Sequence, residues 1–200
     1  MSNTEVSSKP YDLIVFGATS FVGQILTHYL VETLGVNSDI SWAIASRSES
    51  KLATLKDSLG ATASELPVLI ADSHDEASLQ ALCSQTRVVI STVGPYALYG
   101  ELLIKTCAET GTDYTDLTGE AHWIGQMKDK YNQAAKASGA RIVNCCGFDS
   151  IPSDMGVFAM QQRAQAKFGH PLPHAKLRVK AMKGGASGGT IASMIEALKA

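Results

Sequence analysis

Seven residues, Gly17-Ala18-Thr19-Ser20-Phe21-Val22-Gly23, stand between a short apolar run and a helical repeat. Leu13 to Phe16 is continuously apolar and reads as a buried strand. Phe21, Val22, Ile25, Leu26, Tyr29, Leu30 and Leu34 recur at helical spacing, with Gly35 placed to end the helix. A glycine turn in that context suits a diphosphate. Gly17 permits the tight turn, position 20 lies where the backbone nears the anion, and Gly23 lets helix pack closely on strand. Free N–H groups and partial positive charge at the helix start face the phosphates. Thr19, Ser20, Phe21 and Val22 complete the candidate contact set. Ser20 stands where a glycine is usual, and its hydroxyl can donate to a phosphate oxygen. The competing reading is a strand-to-helix turn without a ligand.

Four further places carry candidate chemistry. Ala45-Ser46-Arg47-Ser48 ends the second apolar run. An acidic residue at this place holds the ribose hydroxyls of NAD. Arg47 instead can grip a 2′-phosphate bidentately, with Ser48 beside it, so NADP is favoured over NAD. The plain alternative is a solvated arginine at a helix start. Asp72, after the third run, can reach an adenine edge or merely cap its loop. Val93-Gly94-Pro95-Tyr96 leaves the fourth run, where Gly94 lets the backbone pass a cofactor and Pro95 fixes the loop. Tyr96 or Tyr99 can face a nicotinamide and donate a proton, or simply pack beneath the ring. Asp149, in Gly147-Phe-Asp-Ser-Ile-Pro-Ser-Asp154, is either site-facing or a helix cap. Tyr96, Tyr99 and Asp149 are thus the weak catalytic candidates. A Tyr-x-x-x-Lys pair is absent: Gly100, Leu103, Thr118 and Ala135 follow four residues after Tyr96, Tyr99, Tyr114 and Tyr131. The short-chain dehydrogenase pattern is therefore not met.

The elements that must position these residues alternate. Strands are predicted at Leu13–Phe16, Trp42–Ala45, Val68–Ala71, Val88–Ser91, around Tyr114 and at Arg141–Asn144. Helices fall between them, over Ser48–Leu59, Asp75–Leu82, Gly100–Thr110 and Gly119–Ser138 as well as after the glycine turn. That order predicts an α/β fold, a doubly wound parallel sheet of the Rossmann type with strand order 3-2-1-4-5-6. Residues 1–10 read as a disordered lead and 11–150 as the nucleotide-binding domain. Residues 151–200 read as the start of a second α/β domain, for substrate or homodimer contacts. In it a helix is predicted over Ser153–Phe168, a strand over Leu177–Met182, a flexible turn over Lys183–Gly189 and a helix from Thr190. The second domain starts and does not finish, the pattern of a truncated chain or gene fragment.

The bulk properties narrow the function classes. With 45% apolar and 18% charged residues and a formal charge of -2, the chain has no basic block for nucleic acid or an anionic membrane. No apolar run reaches the roughly 20 residues of a membrane span, and Met1 to Lys9 lacks the order of a signal peptide. Cys83, Cys107, Cys145 and Cys146 form no CxxC pair, and the histidines are not spaced to help them. Reduced thiols in a cytoplasmic protein and no metal site are expected.

Five segments together resemble the saccharopine dehydrogenase-like oxidoreductases. They are Tyr11 to Gly23, Trp42 to Arg47, Val93 to Glu101, Asp116-Leu-Thr-Gly-Glu120 and Cys146 to Asp154. The likeness is nearest to the branch that includes bacterial trans-acting enoyl reductases of lipid synthesis. It implies an NAD(P)-binding Rossmann domain followed by a larger α/β domain that closes over the cofactor and shapes the substrate pocket. Ser20, in place of the family's central glycine, departs from the pattern, and so does the early end of the chain. The reading is an NADP-dependent oxidoreductase passing hydride to a small-molecule imine or a lipid-type enoyl thioester. The alternative is a non-catalytic NADP-binding module acting through a protein partner.

Overall fold

A computed structural model describes residues 9–181, 183–185 and 187–198. Six parallel strands form one sheet: β1 (Tyr11–Phe16), β2 (Trp42–Ser46), β3 (Val68–Ile70), β4 (Thr86–Ser91), β5 (Asp113–Asp116) and β6 (Ile142–Val143). Their order is β3-β2-β1-β4-β5-β6, the doubly wound order read from the alternation of elements. Helices α1 (Phe21–Thr33), α2 (Glu49–Leu59), α3 (Glu76–Ser84), α4 (Tyr96–Tyr99), α5 (Glu101–Thr110) and α6 (Ala121–Ser138) connect them. A 3-10 turn at Ala61–Ala63 precedes β3.

Period-two alternation divides the core between the two faces of the sheet. On one face Ile14 and Phe16 of β1 pack with Val89, Leu79, Leu103 and Trp123. On the other Val15 packs with Trp42, Ile44, Leu30 and Leu52. Both faces are covered, so Leu13–Phe16 of β1 and Trp42–Ala45 of β2 read as unbroken apolar runs. Gly35 (φ 76°) and Gly111 (φ 70°) stop α1 and α5 in the left-handed region that glycine adopts without strain.

The chain's lead is fixed from Lys9 onward. The Lys9 ammonium donates to the Cys83 carbonyl (3.1 Å), the Thr86 carbonyl (2.9 Å) and Thr112 Oγ1 (3.0 Å). The predicted disorder of residues 1–10 therefore does not extend to Lys9 and Pro10, and residues 1–8 lie outside the described residues.

After β6 the chain forms α7 (Ile151–Phe168) and α8 (Gly188–Ala197). Pro152 sits in the first turn of α7, so the helix starts two residues before the predicted Ser153. Ser187 caps α8 by accepting the Thr190 N–H at 3.1 Å, which draws Gly188 and Gly189 from the expected turn into the helix. The strand predicted over Leu177–Met182 does not form at residues 177–181, and Met182 lies outside the described residues. Alternation alone makes no strand. The backbone needs a neighbouring ladder, and none lies beside this segment among the described residues. Phe158, Phe168, Ile191, Met194 and Ile195 of these helices are exposed.

The three Lys9 contacts tie the lead to the end of α3, the start of β4 and the residue before β5. Lys9→Ala should lower unfolding stability by about 1.5–3 kcal/mol, the range for hydrogen bonds to a charged group. Urea unfolding checks this, with a lowered midpoint at unchanged slope.

Candidate functional site

The strand order reverses at β1 and β4, and a crevice opens beyond their carboxyl ends. The glycine turn occupies that place. Gly17 has φ 86°, and a Cβ on it would stand 2.5 Å from Val93 Cγ2 and 2.9 Å from Thr92 Oγ1. A Cβ on Gly23 would overlap the Gly17 carbonyl oxygen and lie 2.8 Å from Ala18 Cα. The first turn of α1 thus rests directly on the end of β1, which only a glycine at position 23 permits.

Ser20 has a structural part beside the one expected of it. Thr92 Oγ1 donates to the Gly17 carbonyl at 2.9 Å. Its single proton being used, it accepts from the Ser20 hydroxyl at 3.0 Å. Ser20 Oγ in turn accepts the Gly23 N–H at 2.9 Å. The side chain is thus a helix cap tied to Thr92 at the end of β4. What the turn presents to an anion is backbone. Among the described residues the N–H groups of Phe21 and Val22 have no acceptor.

Two cavities flank this turn. The first, of about 290 Å³, is lined by Gly17, Thr19, Ser20, Val93, Gly94 and Tyr99, and by Arg47 and Ser48 at its far end. The structure thus gathers most of the predicted cofactor set in one cleft. Thr19 Oγ1 and Ser46 Oγ pair across it at 2.8 Å. Arg47 is exposed, and its guanidinium has no ion-pair partner among the described residues. Lys51 joins the lining from the first turn of α2, where Ser48 is the cap that accepts its N–H. No carboxylate lines this cleft among the described residues.

Asp72 is not in the lining; its neighbour Ser73 is. The Asp72 carboxylate turns back on its own loop and accepts the His74 N–H at 3.0 Å. This bond first, and the nearby Arg47 charge among lesser causes, holds its pKa below the usual carboxylate value. Of its two anticipated roles, the loop cap is the one its geometry serves. Pro95, joined to Gly94 by a cis bond, lies outside both linings.

The second cavity, of about 530 Å³, shares Ser20, Thr92 and Gly94 with the first and continues past Phe21 and Val22 to α8. Tyr96 and Asp149 reach it, whereas Tyr99 lies in the first cleft, edge-on to His74 at 5.4 Å. Tyr96 is a poor acid. It is buried, and its hydroxyl donates to the Ser91 carbonyl at 3.1 Å. Burial, with the Asp116 and Glu120 carboxylates nearby, pushes its pKa far above the ordinary phenol value. Its buried ring and engaged hydroxyl are the arrangement that the packing alternative calls for.

Two buried carboxylates organise the walls. Asp116, at the end of β5, accepts from Tyr114 Oη (2.8 Å), Asn144 Nδ2 (2.7 Å) and the N–H groups of Thr118 (3.1 Å) and Cys145 (3.0 Å). Burial pushes its pKa up, and these bonds oppose that rise. Glu120 accepts the N–H groups of Tyr96 (3.0 Å) and Ala97 (2.7 Å) and the Ser193 hydroxyl (2.8 Å). It thereby starts the one-turn α4 and ties α8 to the loop after β4.

A family model described as saccharopine dehydrogenase NADP binding domain matches residues 13–143. The chain belongs to this family. A Mycobacterium tuberculosis relative, named provisionally as a trans-acting enoyl reductase, is 42% identical over 190 residues. The match takes in 95% of this chain and 45% of the relative. A Caenorhabditis elegans lipid droplet localized protein is 40% identical over 164 residues, 80% of this chain and 38% of that one. Saccharopine dehydrogenase (L-Glu forming) from Saccharomyces cerevisiae shares the fold, with a TM-score of 0.60 at 22% identity. That match covers 77% of this chain and 32% of the yeast protein. The chain thus spans less than half the length of these relatives.

Within this saccharopine dehydrogenase-like frame, three residues escaped the sequence reading. Lys51 was visible in principle, as a cation three places after a capping serine. Thr92 and Glu120 were not, because their partners are 72 and 23–24 residues distant. The glycine contact yields a direct test. Gly23→Ala should cost about 1–3 kcal/mol of stability through overpacking, and Ser20→Ala about 1 kcal/mol through the lost cap. Urea unfolding measures both, and a Gly23→Ala variant as stable as the wild type would refute the close approach.

Proposed function

We propose that this chain binds NADP(H) in the first cleft and serves hydride transfer as an oxidoreductase. The observation that carries the reading is the makeup of that cleft. Gly17, Thr19 and Ser20 of the glycine turn and the cations Arg47 and Lys51 line it, no carboxylate does among the described residues, and the unpartnered N–H groups of Phe21 and Val22 border the adjoining cavity. An acidic residue after β2, suited to ribose hydroxyls, would repel a 2′-phosphate; this cleft has cations there instead. The residues present therefore fit the cofactor. Gly17 to Gly23 would hold the pyrophosphate through backbone N–H groups, Arg47, Ser48 and Lys51 the 2′-phosphate, and Val93 and Gly94 would border the nicotinamide end. When bound, the nicotinamide supplies the hydride chemistry. The protein's share is to orient it and keep water from the crevice.

The substrate in this reading is a small molecule, an imine or a lipid-type enoyl thioester, the latter supported by the name of the mycobacterial relative. No helix among the described residues is long and apolar enough to cross a membrane. The four cysteines are free, which supports a reducing, cytoplasmic setting. The exposed apolar residues of α7 and α8 favour a second reading, a cofactor-binding module that engages a protein partner or a second copy through residues 151–200.

Calorimetric titration with NADPH and NADH tests the cofactor assignment. Arg47→Ala should weaken NADPH by about 1.5–3 kcal/mol and leave NADH nearly unchanged. Lys51→Ala should act in the same direction. Equal losses for both cofactors would defeat the 2′-phosphate assignment, and binding of neither by the wild type would defeat the reading itself.

A further inference from the structure

The second cavity differs from the first in the sign of its charges. The first has two cationic side chains in its lining and no carboxylate; the second has two carboxylates, Glu120 and Asp149, and no lysine, arginine or histidine among the described residues. The two carboxylates are not equivalent. Glu120 is buried and accepts three hydrogen bonds, from two backbone N–H groups and the Ser193 hydroxyl. Asp149, in the loop after β6, is exposed, and its carboxylate has no hydrogen-bond partner among the described residues. Its charge is the less compensated of the two.

We infer that the second cavity receives the reacting end of an uncharged substrate and that Asp149, backed by Glu120, rejects a carboxylate there. The inference rests on the cofactor reading above. With the dinucleotide spanning from the first cleft across the glycine turn, its reactive end points to the neighbouring cavity, which shares Ser20, Thr92 and Gly94. The phosphates then take the unpartnered N–H groups of Phe21 and Val22, the groups bordering the second cavity best suited to an anion. A substrate carboxylate entering the second cavity would meet like charge with no cation to pair with. Leaving a charge desolvated and unpaired is among the costlier events in binding. An amide, ester or thioester carbonyl of the same shape carries no such cost. Phe21, Val22, Leu117 and Met194 give the remaining wall an apolar surface that suits a hydrocarbon chain. The cavity therefore selects an acyl derivative over a free acid and over an imine bearing carboxylates at its reacting end.

The test uses the full chain saturated with NADP+, which prevents turnover, and a matched pair of probes, trans-oct-2-enamide and trans-oct-2-enoate. They share size and shape and differ in charge. Calorimetric titration should give the amide at least about tenfold tighter binding than the acid, a difference near 1.4 kcal/mol. Asp149→Asn should narrow that ratio severalfold, Asp149→Lys should reverse it, and rising salt should shrink it in the wild type. Asp149 is exposed, so these variants should fold; Glu120→Gln, which keeps one acceptor oxygen, is the companion variant. Equal or tighter binding of the acid by the wild type overturns the inference. So does an amide-to-acid ratio untouched in Asp149→Asn and Glu120→Gln, which would assign the rejection to the cofactor's own phosphates. Binding of neither probe removes the second cavity as the reacting end. Failure of the cofactor reading is separate, since it shows earlier as no binding of NADP+.

Discussion

The contact of Gly23 with the end of β1 is the constraint on which the rest of the site depends. Because position 23 has no Cβ, α1 settles on the Gly17 carbonyl, and its first N–H groups come to the crevice between β1 and β4. Thr92 locks this arrangement from the neighbouring strand, donating to Gly17 and accepting from Ser20. One small hydrogen-bond chain therefore joins β1, α1 and β4 at the point where the sheet's winding reverses. Everything that borders the crevice, from Val93 on one side to Arg47 on the other, is placed relative to that joint.

The opposite wall is built on different physics. There the backbone leaves β5 and β6 in irregular loops, whose N–H groups must find acceptors away from any ladder. Asp116 and Glu120 supply them. Each is a buried carboxylate surrounded by donors, and each gathers segments distant in sequence: Asp116 links β5 to Asn144 and Cys145, and Glu120 links the loop after β5 to α4 and α8. Burying a carboxylate is costly unless its lone pairs are met, and here the donors come from the backbone whose direction the site requires.

The contrast explains what could be read from the residues. Strand order, the glycine turn and its two steric demands were legible because periodicity and the space around a Cβ are properties of a few consecutive residues. The part Ser20 plays was not, since it is decided by Thr92, which itself depends on where the Gly17 carbonyl points. Asp72 shows the same limit in reverse: a loop cap and an adenine contact call for the same residue type, and only the position of His74 separates them. The segment Leu177–Ala181 has a strand's alternation and no strand, because a strand is a relation between two segments and no partner segment lies beside it among the described residues.

The two cavities acquire opposite charge through this same division. Where β2 passes into α2, the loop needs only a serine cap, so neighbouring positions are free to carry Arg47 and Lys51 into the lining of the first cleft. Beyond β5 the irregular loops need acceptors, and a carboxylate is the side chain that accepts most and donates nothing. Glu120 is present to start α4 and hold α8, yet its charge colours the cavity it borders. A structural requirement on one side of the glycine turn thus becomes a chemical preference at the place where the reacting group would lie.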